Sequence, residues 1–401
     1  MTGHALFTPA QQPQSGFPQP SEPSEPGLTP PAGGTQPGST ATADPGVPIP
    51  PNALQSALEQ IASGADELDR DPAFPVGAFR ALANAGVLGI TLPGSDGRRI
   101  GFGEELALLA QVSRADGSVG RILDGHFNAV ERLSVACPDA LDAGERSAIA
   151  GGELLLGVWG ADPAPGEGEP ARLFGAPDGL LLHGVKTYCS GAGGVRRALV
   201  VARDEAQERR LAYVDLDDGV SVDRTWYRGE GLRASESHRV VFDGATVLAL
   251  LGGPGEMLRE PWFSRDAIRT SATWAGIAQS VASAALRFLH EREEPGEIVA
   301  LAAGRMCVAL RAVELWTEHA AQRAQSGAPL SGTAIEARWA IAAACRQIAA
   351  DGALACGSRP LATGGALSRG RRDLDLFLLQ HRLEPLLARH GAGAVGGVAA
   401  K

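Results

Sequence analysis

Lysine is nearly missing from this chain: Lys186 and Lys401 are the two lysines in 401 residues. Aromatic residues are sparse at 5%, and charged residues make up 20%. The formal net charge is -10, and no basic run interleaves with aromatics. Such a surface repels phosphate backbones, so no nucleic-acid partner is expected. A charged cofactor or substrate would need a local cluster of arginines or backbone N–H groups. The five cysteines (Cys137, Cys189, Cys307, Cys345 and Cys356) are odd in number and contain no C-x-x-C pair. That argues against a zinc centre or a disulfide framework and for buried thiols in a reducing cytoplasm, with no metal. No apolar run reaches the length of a membrane span. The N-terminus lacks the charged and apolar segments of a signal peptide. A soluble, cytoplasmic protein is therefore expected. What abounds is Ala and Gly, with Arg in place of Lys. That bias points to a GC-rich bacterial genome rather than to a function.

The chain is 44% hydrophobic, enough to bury a sizeable core. Residues 1–51 carry about half of the 27 prolines, mixed with Gly, Ser, Thr and Gln. This segment cannot bury enough apolar surface to offset its ordering entropy and reads as a disordered tail. From Ala53 the pattern turns helical: Leu54, Leu58 and Ile61 share one face. Phe74–Pro93 reads as a helix ended by Gly86, and Phe102–Val135 as two helices broken near Asp116–Gly117. Residues 52–151 thus form an α-helical domain. Between Leu154 and Val247 lie seven short strand-like runs separated by Gly, Asp and Pro turn signals. They predict a small antiparallel β-barrel or sandwich over 152–252. Long Ala-rich helices return over 253–401 and predict a four-helix bundle, with a shorter last piece from Ala366 onward.

Four segments in this order carry a resemblance. They are WGADP (Trp159–Pro163), HGVKTYCSGAG (His183–Gly193), GEGLRASESHRVVFDGATV (Gly229–Val247) and GRRDLDLFLLQH (Gly370–His381). Together they resemble the acyl-CoA dehydrogenase superfamily, from about Ala53 to His390. The resemblance implies an α+β fold: N-terminal helical domain, middle β-barrel and C-terminal helical bundle. It also implies an FAD cofactor and a homodimer or homotetramer that shares its cofactor site across subunits.

Tyr188 and Ser190 sit two apart on one predicted strand, so their side chains should share a face. By resemblance, Tyr188 stacks on the flavin and Ser190 donates to its N5 region; the alternative is ordinary strand residues against a hydrophobic neighbour. Trp159 and Asp162 belong to the segment that runs beneath the ring. Gly357, Gly364 and Gly365 precede the last helix, where glycine permits close backbone approach to a pyrophosphate or makes a plain turn.

The departures are equally informative. The family's Thr-Glu-Pro is Ala161-Asp162-Pro163, its Gly-Ser pair is Gly166-Glu167, and HEREEPGE replaces its FAD-gripping loop, leaving Arg292 as the candidate there. The usual catalytic Glu position, nine residues beyond Arg372, holds His381. A second position used by some members falls at or next to Asp266. Removal of an α-proton needs a base; the candidates are His381 and Asp266. Either can also be a helix-end residue answering the macrodipole.

Three functions follow as expectations. The first is an FAD enzyme oxidising the CH–CH group of an acyl thioester such as an acyl-CoA, with a separate electron acceptor. The second is a two-component monooxygenase using reduced flavin from a reductase. The third is a catalytically silent accessory protein. Removing residues 1–51 should leave the melting temperature within about 1–2 °C, because a solvated tail adds no buried area. Differential scanning fluorimetry on the truncated chain checks this, and a drop of about ten degrees would refute it.

Overall fold

The structure, a computed structural model, describes residues 49–399 except 178, 292–295 and 381. The expectations for the tail over 1–48, for Arg292 and for His381 lie outside the described residues. Among those described, no helix is long and apolar enough to cross a membrane.

Five helices come first: α1 (Pro51–Arg70), α2 (Val76–Asn84), α3 (Phe102–Ala115), α4 (Gly117–Ala136) and α5 (Ala143–Gly151). Proline suits the first position of α1, where its missing N–H is not needed. The apolar face of α1 buries Ala57, Ile61 and Ala65. The break expected at Asp116–Gly117 is a helix start. Asp116 is extended, and its carboxylate accepts the Val119 N–H at 2.9 Å. Almost the whole length of α4 is then buried.

The strands are β1 (Leu156–Trp159), β2 (Arg172–Ala176), β3 (Gly179–Cys189), β4 (Arg197–Arg203), β5 (Arg209–Asp215), β6 (Val220–Asp223) and β7 (His238–Leu251). They form one sheet in the order β1-β4-β2-β3-β7-β5, with β6 on β7 and β5 also on β4. This corrects the expected antiparallel barrel. Both β1 and β2 run parallel to β4, and β2 meets β4 only at Arg172↔Arg203. The pairings lead round from β4 through β5, β7, β3 and β2, but the wall is not continuous at that seam. Turn signals mark where strands end without revealing direction. The β2–β3 hairpin lies in sequence between β1 and β4, and a long connection of that kind allows parallel neighbours.

The remaining helices are α6 (Trp262–His290), α7 (Glu297–Gln325), α8 (Ser331–Cys356), α9 (Arg359–Thr363), α10 (Ala366–Phe377) and α11 (Glu384–Ala399). Small residues let them pack closely. A Cβ on Gly276 of α6 would stand 2.2 Å from the Ala110 carbonyl oxygen of α3, so only glycine fits that crossing. The single terminal piece expected from the sequence is two helices, because Pro385 in the first turn of α11 prevents a helix from running through from α10.

A buried charged network joins three of these helices. Arg269 of α6 is 0% exposed. Its Nη2 donates to Glu131 at 2.7 Å and to Glu105 at 3.2 Å, its Nε also donates to Glu105, and its Nη1 donates to Asn128 at 3.0 Å. Arg265 donates twice to Glu131. Arg132 of α4 donates to Asn128 at 2.9 Å, and both its terminal nitrogens donate to Asp266. Burial pushes the Glu131 carboxyl up, but the Arg269 and Arg265 guanidiniums outweigh it and hold it down at about 2.

Removing one member of a buried ion pair leaves an uncompensated charge, so Arg269→Ala should destabilise by about 3–5 kcal/mol in urea unfolding. The folded pKa of Glu131 lies below its unfolded value of 4.5. Its contribution is complete above that value and lost as pH falls toward about 2. Between those limits the parent should lose stability more steeply than Glu131→Gln; parallel pH curves for the two would refute the assignment.

Candidate functional site

A cavity of about 600 Å³ opens where α4, the ends of β1 and β3, α6 and the C-terminal end of α10 converge. From α4 come Arg121, Asp124, Gly125 and Asn128; from α6 come Asp266 and Thr270. Tyr188, Ser190, Ser237 and Tyr227 supply aromatic and hydroxyl groups, and Val158, Leu232, Leu376 and Phe377 supply apolar wall.

The end of β3 departs from regular strand geometry. Its register with β7 shifts between Lys186 and Cys189, and Tyr188 adopts the left-handed region at φ 52. That conformation is rare for a bulky side chain and marks local strain. Ser190 lies beyond the strand, with its N–H turned back to the Tyr188 carbonyl at 2.9 Å. The alternation that was to place Tyr188 and Ser190 on one face therefore does not apply. The turn nevertheless brings both to the same cavity. Tyr188 stays 53% exposed and meets Trp226 edge-on at 4.9 Å between ring centroids.

Ser190 Oγ lies 2.9 Å from Ser237 Oγ, which lies 2.8 Å from Ser235 Oγ, so three hydroxyls form a chain. Trp159 is buried behind them and donates its indole N–H to the Ser190 carbonyl at 3.1 Å. Asp162 sits one step away: it accepts from Lys186 Nζ at 2.6 Å, and its carbonyl accepts the Thr187 hydroxyl. Burial lowers the Lys186 ammonium, and Asp162 opposes that shift.

Asp266 reaches the cavity with both oxygens already held by Arg132. Asp124 is 0% exposed. One of its oxygens accepts from Arg121 at 2.8 Å and from the Thr270 hydroxyl at 3.3 Å. Burial pushes its carboxyl up to about 6, opposed by Arg121. Gln380, the chain neighbour of His381, also lines the cavity.

The R-D pair of the last motif works as a tether. Arg372 donates to both Asp69 oxygens on α1 and to the Glu230 carbonyl. Asp373 accepts the Leu232 N–H at 2.6 Å. Gly231 lets the two segments meet, since a Cβ there would stand 2.2 Å from the Arg372 carbonyl oxygen. Leu232 and Phe377 are thereby held against the cavity.

Gly357, Gly364 and Gly365 do not join this cavity. All three have positive φ, with open space where a Cβ would be. Gly365 precedes α10 and Leu376 nears its end, eleven residues or roughly 16 Å apart along the helix. Arg121, Asp124, Thr270, Tyr227 and Ser237 were not singled out from the sequence. No sequence signal sets Asp124 apart, because α4 also carries Arg121, His126, Asn128, Glu131 and Arg132. Among the described residues no cluster of three metal-ligating side chains occurs.

Comparison with known proteins agrees with this architecture. Residues 52–136 match the family model for the acyl-CoA dehydrogenase N-terminal domain. The chain is 26% identical over 253 residues to (2S)-methylsuccinyl-CoA dehydrogenase of Cereibacter sphaeroides, covering 57% of this chain and 46% of that protein. It is 30% identical over 249 residues to an amino sugar nitrososynthase of Streptomyces rubradiris, covering 58% and 55%. The chain thus spans about half the length of these curated relatives. The crystal structure of FMN-bound TdsC, a dibenzothiophene monooxygenase of Paenibacillus sp. A11-2, superposes with a TM-score of 0.75 at 20% identity, covering 85% of this chain and 96% of that one. The chain thus has the fold of the acyl-CoA dehydrogenases, and its residues 52–136 match their N-terminal domain.

Proposed function

We propose that this protein is a flavin-dependent oxidoreductase acting on a small molecule in the cavity between α4, β3 and α6. The observation that carries this reading is the end of β3. There a strained, half-exposed tyrosine and a serine at the head of a three-hydroxyl chain face one cavity with apolar wall opposite. A planar isoalloxazine needs an aromatic or apolar face and a few fixed donors at its polar edge, and this residue set fits both needs. Tyr188 would pack against the ring, Ser190 would donate to it, and Trp159 would hold Ser190 in place from behind. The flavin, when bound, supplies the redox chemistry; the protein binds, orients and excludes water. Gly357, Gly364 and Gly365 would serve the phosphate end of an FAD, and Arg292 is the remaining candidate of the FAD-gripping loop. An FMN would need none of these four.

Two chemistries fit the reading. Oxidation of a CH–CH bond beside a carbonyl, as in an acyl-CoA, needs a base, and His381 and Asp266 are the proposed ones. The engagement of both Asp266 oxygens by Arg132 favours His381 of the two. It equally favours the second chemistry, a two-component monooxygenase that takes reduced flavin from a reductase. The nitrososynthase relative and the FMN-bound monooxygenase neighbour support that alternative.

Titration with FMN and with FAD, followed by visible absorbance and flavin fluorescence, should give saturable binding to the parent. Ser190→Ala should weaken it by about 1–3 kcal/mol through the lost donor. Unchanged affinity in that variant would remove Ser190 from the site, and no affinity for either flavin would refute the reading. Asp266→Asn should cost stability and leave turnover within a few-fold, whereas His381→Ala should lower a dehydrogenase turnover by about 10²–10⁴.

A homodimer or homotetramer belongs to the same proposal. Leu301, Val308 and Leu315 recur every seven residues along α7 and are 62%, 71% and 51% exposed, an apolar row that a second copy would cover. Light scattering at micromolar concentration should give a multiple of 41.4 kDa, and a monomeric mass would refute it.

A further inference from the structure

We propose that Asp124 is the substrate-recognition residue of the cavity, its free oxygen Oδ1 accepting a hydrogen bond from an N–H or O–H group. The molecules that fit would then be amino- or hydroxyl-bearing small molecules rather than plain hydrocarbon or acyl chains. The inference rests on the oxidoreductase reading only in calling that molecule a substrate.

The argument starts from hydrogen bonding. Asp124 lines the cavity and is fully buried. Its Oδ2 is held by Arg121 Nη1 at 2.8 Å and by the Thr270 hydroxyl at 3.3 Å. Its Oδ1 is inaccessible to bulk water and has no partner among the described residues. Buried carboxylate oxygens without a donor are rare because desolvation is then uncompensated. A ligand donor would supply the missing partner.

The charges around Asp124 narrow the ligand. Arg121 faces it from α4, Asp266, Arg269 and Thr270 from α6, and Arg338 from α8. Arg269 is engaged by Glu105 and Glu131, and Arg121 by Asp124 itself, while burial raises the Asp124 carboxyl to about 6 against the pull of Arg121. An anionic ligand group at Oδ1 would be repelled by two carboxylates, Asp124 and Asp266. An aliphatic group would leave the oxygen unpaired. A hydroxyl or amino group does neither.

The test uses the full chain, with and without FMN, and three probes of similar shape: benzyl alcohol, benzylamine and ethylbenzene. Ligand-observed NMR titration should show both polar probes binding about five- to tenfold more tightly than ethylbenzene at pH 7.5, a size ordinary for one charge-assisted hydrogen bond. That preference should shrink at pH 5, where the carboxyl is protonated. Asp124→Asn should abolish most of the preference and flatten its pH dependence. Thr270→Val leaves Asp124 in place but removes a donor to Oδ2. It should keep the preference and move its midpoint to higher pH, which tests the proposal even if Asp124→Asn folds poorly. Equal binding of benzyl alcohol and ethylbenzene, no millimolar binding of either polar probe, or an unchanged preference in Asp124→Asn would overturn the proposal. Flavin affinity is measured separately. Selectivity that depends on Asp124 without flavin binding leaves this inference standing and refutes the oxidoreductase reading; flavin binding without selectivity does the reverse.

Discussion

The position of the cavity depends on the buried guanidinium of Arg269. It answers Glu105 on α3 and Glu131 and Asn128 on α4 at once, and it sits on α6. A charge this deep is costly unless it is paired, and all three of its nitrogens find acceptors when the three helices pack in this arrangement. Both walls of the cavity follow from it. Asp124 stands one helical turn before Asn128 on α4, and Thr270 follows Arg269 on α6, so closing the network brings Thr270 to Asp124. Asp266 belongs to the network and to the cavity together, which explains why its carboxylate is spoken for.

The opposite wall is set by a second kind of constraint. The β3 end carries backbone strain at Tyr188, and the surroundings hold it: Trp159 bonds the Ser190 carbonyl, and the Gly191 N–H reaches the Ser235 carbonyl at 2.8 Å. Strain persists only where neighbours over-determine it. The third wall, at the end of α10, is tied down through Arg372 and Asp373 to α1 and to the Gly231–Leu232 turn. Helical domain, sheet and bundle therefore all contribute walls to one cavity.

Two buried carboxyls next to this machinery oppose folding at neutral pH. Asp124 and Asp373 are raised, to about 6 and about 7, in both cases first by burial. Because their folded values lie above the unfolded 3.8, their contribution is full below that pH and is lost as pH rises through the raised values. Glu131 has the opposite sign. Asp373 has a structural use for its cost, since it anchors the Leu232 turn. Asp124 is oriented by Arg121 and Thr270 with one oxygen left over, a pattern suited to a binding site more than to a core.

Much of the fold was legible in the chain. Apolar residues at helical spacing, the break near Asp116–Gly117 and the Gly and Pro punctuation locate helices and strands because those signals act over one or two turns of chain. The order helix, strand, helix and the four segments from Trp159 to His381 carry the resemblance to the acyl-CoA dehydrogenase fold for the same reason. Strand direction was not legible, because β1 and β4 become parallel neighbours through pairings that span about 40 residues. Nor was the true geometry of Tyr188 and Ser190: a period of two holds only while the backbone stays extended, and it leaves that region at Tyr188. Asp266 read from the sequence as a candidate base or a helix-end carboxylate, and its pairing with Arg132, 134 residues away in sequence, appears only in the fold. Since the same helix also holds Glu131, two arginines and a histidine, Asp124 carried no signal of its own in the sequence. Its burial, its two donors and its unpartnered oxygen exist only once α4 and α6 are packed, because desolvation and hydrogen-bond satisfaction are properties of the assembled interior and not of the chain.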